Sequence, residues 1–500
     1  MTGIADHQQA RLDVDPARKG NLAARVAQAI RQNAKIILPT ALLVAAAAGW
    51  MLYVTWTQYA SNHTYLADVG IFDAICYGPL YGNWLRTPLA PDASGNYFGI
   101  HFQPYLLLIT PLYLLANETM TLLSVLTLSV VVAVIPWALL VFAITKDRLI
   151  MFAAALLFLG NHFILSMHLA NHPESLALPW IFALFFAQRI RHRSLFIVSL
   201  LLALTVKEDF AIFLGIWSAS LLIDKTTRRD GAIALSICVA WWIIAQMIMH
   251  ACGAAEFERL GMTPTSRFAS MGTTKPQIIT YAMTHPTVIV ARVFAKPLWL
   301  LILSTGLICI FDWKTFAVGV IGASIFLITD DPIISRLDYY YSYGALPFFF
   351  LATANAIPRV LSWKRGAHGP LRIAISILFA CASVAGFLSP TRTDDLKHRP
   401  FPITPHQRAA DLVMKQIPKD AAVAAQFDLY PRVPHRKDLF GLREVNLDRA
   451  QYVAMDLTGR APDLNGDERE RVFKRLRSAE WSIVLDIDDY VILKKNSAAP

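Results

Sequence analysis

The sequence predicts an α-helical polytopic membrane protein with a small soluble α/β domain at its C-terminal end. Three observations carry this. Hydrophobic residues make up 55% of the 500-residue chain and charged residues only 16%, with a mean hydropathy of +0.44, beyond what a soluble domain of this size tolerates. The 46 Lys and Arg exceed the 36 Asp and Glu, giving +10, and they gather in short clusters between apolar segments, where the positive-inside rule turns them to the cytoplasm. After Ser389 the composition becomes that of a soluble domain. The basic balance thus speaks of topology and not of nucleic acid. The five cysteines are scattered, without C-x-x-C or metal-ligand spacing, so neither a disulfide framework nor a cysteine metal site is read.

Residues 1–35 form a polar cytoplasmic segment whose Arg25, Arg31 and Lys35 precede the apolar run 36–54, a retained first span and not a cleaved signal. The first outer loop, 57–103, follows. It holds Asp68 and Asp73, which lie on loosely neighbouring faces if Gly70 lets a helix form. Residues 101–116 are apolar but short and carry Pro104 and Pro111; a straight helix of that length covers about 24 Å of a roughly 30 Å hydrocarbon core. With Lys146 and Arg148 placed inside, this segment reads as re-entrant and 119–145 as a span.

Residues 149–166 then lead out to His168, His172 and Glu174, and 176–188 return to Arg189, Arg191 and Arg193. Residues 195–206 lead out to Lys207, Glu208 and Asp209, and 210–223 return to Lys225, Arg228 and Arg229. Segments 232–250 and 288–311 flank an outer loop. Residues 315–329 reach Asp330, Asp331, Arg336, Asp338 and the tyrosine run 339–343, 344–357 return to Arg359, and 371–388 exit. The sum is about 11 crossings plus the re-entrant segment within 36–388, in a cell (inner) membrane, with 389–500 extracytoplasmic. In this tail, 421–426 and 481–494 read as strands, and 405–415 and 467–479 as helices.

The polar residues at the outer boundaries are the site candidates. Taken singly, each has a plain reading as a helix cap or interface residue. Lys207, Glu208 and Asp209 resist that reading. Three consecutive ionisable residues inside an apolar stretch are costly unless they pair, face a polar cavity or serve chemistry. His168 and His172, four apart, put two imidazoles on one helical face, although Pro173 and the lack of H-E-x-x-H weaken a zinc reading.

Several stretches in order, ADVGIFDAI (67–75), GIHFQPYLLLITPLYLL (99–115), HPESLALP (172–179), LALTVKEDFAIFLG (202–215), the tyrosine run and IPKDAAVAAQFDLYPRVPHRKDLF (417–440), resemble a bacterial predicted-membrane-protein family known as domain of unknown function 2079. That family is similar to the GT-C glycosyltransferase superfamily. The resemblance implies transfer of a sugar from a polyprenyl-phosphate donor to an extracytoplasmic glycan, lipid or protein acceptor, with a first-loop carboxylate as base, here Asp68 or Asp73. It implies basic or polar groups that stabilise the lipid-phosphate leaving group, for which Arg86, His101, Lys207 and Arg336 are the candidates, with His172, Glu174, Glu208, Asp209 and Tyr339 joining them as substrate- or phosphate-binding candidates. A divalent metal such as Mg or Mn belongs to the same expectation, although the adjacent acid pair of some relatives is absent, since Val69 to Phe72 separate the two acids. Two other classes stay open: a transporter or flippase of a lipid-linked or polar substrate using Lys207, Glu208 and Asp209, and a non-catalytic scaffold whose tail binds a partner.

Overall fold

A computed structural model describes residues 22–64, 69–86, 88, 96–254, 264–295, 297–337, 339–363, 368–389, 399–458 and 466–496. Asp68 and Asp338 lie outside them. The chain opens with one long helix, α1 (Leu22–Ala60), running through Pro39. From Leu38 onward most of its apolar surface stays uncovered by protein, as a lipid-facing span requires. Near its end Trp50, Tyr53 and Trp56 are exposed on one face, and the Tyr53 and Trp56 rings stack at 6.1 Å. Such an aromatic cluster marks a membrane–water boundary.

Short helices α2 (Ile71–Tyr77) and α3 (Tyr105–Ile109) follow, then α4 (Thr119–Val132) and α5 (Val134–Thr145), which make one 27-residue span with a break at Ala133. The expectation that 101–116 is too short to cross agrees with its helical piece, Tyr105–Leu114. Helix α6 (Arg148–Leu159) and α7 (His162–Ala170) meet at 44°, because Asn161 leaves the helical path to cap α7 through the N–H groups of Phe163 and Ile164. Next come α8 (Leu178–Ile190), α9 (Arg193–Val206), α10 (Phe210–Leu221) and α11 (Arg228–Ala251). Helices α8 and α9 pack along one another, as do α10 and α11, where Gly231 lets the backbones close: a Cβ there would meet the Ser218 carbonyl at 2.7 Å.

The segment 288–311, expected as one crossing, is broken. Helices Pro286–Ala295 and Leu298–Ser304 are separated at Pro297, and the chain turns again at Gly306 and Leu307, both at positive φ. Helices Trp313–Leu327, Leu346–Leu361 and His368–Leu388 complete the membrane domain. Among the described residues, four helices are long and apolar enough to cross a membrane, or up to six if each bent pair is one span, and five further apolar helices are shorter. The count of about 11 is therefore not what helix length alone supports. The core is aromatic: Trp137, Phe158, Phe182 and Phe350 contact each other edge-on or tilted at 5.0–5.9 Å, and the buried Trp137 indole donates to the Ala154 carbonyl at 2.8 Å.

The tail forms a five-stranded sheet in the order β2-β1-β3-β5-β4, from β1 (Val423–Ala425), β2 (Leu439–Gly441), β3 (Tyr452–Asp456), β4 (Trp481–Ile487) and β5 (Tyr490–Lys495). The first three strands are parallel and the last two antiparallel. Helices Pro405–Met414 and Gly466–Leu476 fall close to the helices expected there. The run 481–494, expected as one strand, is a hairpin. It turns on Asp488 and Asp489, both at positive φ, the backbone that a tight two-residue hairpin demands and that Asp tolerates better than most residues.

The tail sits on the end of α1. Arg432 donates to the Tyr59 carbonyl at 3.0 Å, Gln407 to the Ser61 carbonyl at 2.7 Å, and Phe401 packs with Val54 and Leu169. The membrane domain thus has a tail-side end and an opposite end, where the Arg189–Arg193 and Arg228–Arg229 clusters lie at the far termini of α8 to α11.

Candidate active site

The candidate residues separate into two clusters, both at the tail-side end. The first gathers around Asp73 in the first turn of α2. Its carboxylate accepts from the Tyr113 hydroxyl at 2.5 Å, and its other oxygen lies 2.8 Å from both Thr119 Oγ1 and His435 Nε2. His435 comes from the tail, stacks on Tyr77 at 4.0 Å, and holds Asn117 Oδ1 with its other nitrogen at 2.7 Å. The side chains of Asp73 and His435 are 2% and 3% exposed. Asp73 is therefore sealed by the tail, with its acceptor positions filled. Arg86 belongs to the same seam: it pairs with Asp438 at 3.6 Å and lies over the Phe440 ring. Among the described residues, neither Asp73 nor Arg86 bonds to the Lys207 segment.

The second cluster forms where α9 ends and α10 begins. Lys207 takes extended backbone (φ −165°, ψ 148°), which breaks the helix and frees three consecutive side chains to point in different directions. Its ammonium bonds Glu174 Oε1 at 2.7 Å, lies 3.4 Å from Asp209 Oδ2, and sits over the Tyr343 ring. Glu174 is fully buried, and its second oxygen is bonded by His172 Nδ1. Tyr343 donates to Asp209 at 2.7 Å. Glu208 turns the other way, accepting from the Phe102 N–H at 2.9 Å and bonding His101 Nδ1 at 2.8 Å. The rim of this cluster is accessible, with His101 32% and Asp209 35% exposed, while its floor is buried.

Five elements meet here: the 97–103 segment, the turn after α7, the α9–α10 break, α10 and the tyrosine run. Gly344 lets the tyrosine run press on α10, since a Cβ there would collide with the Phe213 ring. Tyr340 stacks on His172 at 3.6 Å, nearly parallel. The pairing of His168 and His172 on one helical face is not seen: α7 ends at Ala170, Asn171 turns left-handed, and the two rings part. His168 bonds Thr55, and His172 joins Glu174. Arg336 is exposed, and Leu337 and Tyr339 beside it both take positive φ, a strained backbone for non-glycine residues.

The expected divalent metal does not fit these residues. Both oxygens of Asp73, Glu174 and Glu208 already have protein partners, and the described residues converge into no group of three or more His, Cys, Asp or Glu able to hold an ion.

A model of the family described as predicted membrane protein, DUF2079, matches residues 63–492. The chain belongs to the DUF2079 family. The match begins after α1 and takes in both clusters and nearly all of the tail. A search of curated proteins finds no match. DUF2079 membership carries the membrane assignment together with the apolar helices. His435, Asn117 and Tyr113 were not singled out in the sequence, and of the tyrosine run 339–343 only Tyr339 was taken as a site candidate. A histidine followed by Arg-Lys in a soluble tail carries no local signal of a partner 362 positions away.

Proposed function

We propose that this DUF2079 protein is a membrane glycosyltransferase of the GT-C type, moving a sugar from a polyprenyl-phosphate donor to an acceptor hydroxyl on the extracytoplasmic side. The observation that supports it most is the His101–Glu208 pair at the accessible edge of a buried charge network within the membrane domain. With its proton on Nδ1 held by Glu208, His101 keeps Nε2 as a lone-pair nitrogen. That is the arrangement of a general base oriented by a carboxylate. In the reaction, the acceptor oxygen attacks the sugar's anomeric carbon and its proton passes to His101 Nε2. The bond from that carbon to the phosphate oxygen breaks, and the polyprenyl phosphate leaves with the electron pair.

Asp73 is enclosed by the tail and Asp68 lies outside the described residues, so in this reading the base is His101. Lys207 is a positioning residue in this reading: Glu174 and Asp209 already occupy its ammonium, so it fixes the loop and offsets the two acids. The leaving phosphate falls instead to Arg336, whose side chain is exposed, and the stacked Tyr340 and His172 rings offer an aromatic wall for the sugar. The transporter reading rests on the same charged helix break, and the experiment separates the two.

Purified protein in nanodiscs is given a panel of radiolabelled polyprenyl-phosphate sugars, comparing wild type with His101→Gln, Glu208→Gln and Asp73→Asn. Transfer is expected in wild type and should fall about 10²–10⁴-fold in His101→Gln. No turnover with any donor by folded protein, together with donor translocation in a flipping assay, would replace the transferase by the transporter.

A further inference from the structure

At the end opposite the tail, a groove of about 360 Å³ opens between the α8–α9 and α10–α11 turns. It is lined by Arg191, His192, Arg193, Thr226, Arg229 and Asp230, among others. Among the described residues none of the three guanidiniums is seen in an ion pair, and all three are exposed. Asp230 is the one acid of the lining, so the groove holds a surplus of two positive charges with His192 neutral. His192 uses Nδ1 to accept from the Leu195 N–H, which caps α9 and leaves Nε2 to donate.

Two helix N-termini add to the same field: α9 starts at Arg193 and α11 at Arg228, and each is long enough to carry a positive end. Around the groove the surface changes character. Ile190 and Ile223 are exposed beside it, and Ile233 is exposed one turn beyond Arg229 on the same face of α11. Positive charge over exposed aliphatic surface matches a molecule with an anionic head and hydrocarbon tails. Basic residues that served topology alone would need neither an enclosing groove nor flanking apolar side chains.

We propose that this groove binds the phosphate of an anionic phospholipid, with Arg191, Arg193 and Arg229 on the phosphate and Ile190, Ile223 and Ile233 against the acyl chains. The site is separate from the Lys207 cluster, at the other end of the same helices, and does not depend on transferase activity.

Native mass spectrometry of the full chain in delipidated micelles tests this, titrating phosphatidylglycerol, phosphatidylcholine or inorganic phosphate. Wild type should retain phosphatidylglycerol in preference to phosphatidylcholine. Arg191→Gln/Arg229→Gln should weaken that retention roughly tenfold or more, while Arg372→Gln, which alters another exposed arginine on a different helix, should not. Matching gel-filtration profiles would establish that the variants are folded; if the double variant aggregates, Arg193→Gln alone is the substitute and should weaken retention in the same direction. Equal retention of the two lipids, or equal loss in Arg372→Gln, overturns the proposal. Competition by millimolar inorganic phosphate without any lipid preference would replace the lipid by free phosphate.

Discussion

Lys207 shows how a single residue is kept charged in an apolar setting. Taking an ammonium and a carboxylate out of water costs several kcal/mol per ion, and the mutual attraction repays it only when the remaining hydrogen-bonding positions are filled. Here they are filled: Glu174 is bonded by Lys207 and His172, and Lys207 also meets Asp209 and the face of Tyr343. Lys207→Met leaves the buried Glu174 carboxylate with His172 as its remaining partner and should destabilise the protein by about 3–5 kcal/mol. The double variant Glu174→Gln/Lys207→Met should cost clearly less than the sum of the single changes, read as a thermal-unfolding cycle in detergent. Additive losses would mean that the two groups do not hold each other. The motif Lys-Glu-Asp was legible as costly in the sequence, but which acid pairs with the lysine was not. The sequence neighbour Glu208 turns away to His101, and the distant Glu174 takes its place.

At the scale of elements, the tail is joined to the membrane domain by a small set of contacts centred on His435. Removing this ring leaves Asp73 buried with Tyr113 and Thr119 as its remaining partners. His435→Ala should therefore weaken docking by about 1.5–3 kcal/mol, seen as faster hydrogen exchange in 401–458 and at the end of α1, with the core of α4 and α5 unchanged. Within the tail, burial lifts Asp428 from 3.8 to about 6, with Asp456 adding to the rise. The folded state then holds this proton more tightly than the unfolded chain. Stability from this group is fully present below pH about 4 and is lost as pH rises through about 6. Asp428→Asn should leave the stability of the tail unchanged near pH 4 and raise it above pH 6 by an amount of order 1–3 kcal/mol after solvent screening, read from thermal unfolding. A pH-independent difference would remove the titration of Asp428 as the cause. His406, held by Asp456 and Asp488, is also raised, so its contribution is likewise lost as pH rises.

For the whole molecule, composition and hydropathy determined the membrane class, because apolar helices that face lipid need no partner to be recognised. The sequence also placed the two helices of the tail, since periodicity and caps are local. Pro405 after Thr404, with Gln407 closing a capping box, is one such signal. Local rules failed where a break depends on context. The segment 288–311 has the hydropathy of a span, yet it divides at Pro297 and Gly306, and the hairpin at Asp488 and Asp489 hides inside an apolar run. The division of the candidate residues was decided only by tertiary structure. Asp73 and His101 share one loop in the sequence, but the tail closes over Asp73 while His101 turns to Glu208 at the accessible rim. Burial and pairing across more than 100 positions are properties of the packed chain. Sequence spacing could nominate these residues, and only the packing of the tail and the helix breaks could sort them into a sealed seam and an open site.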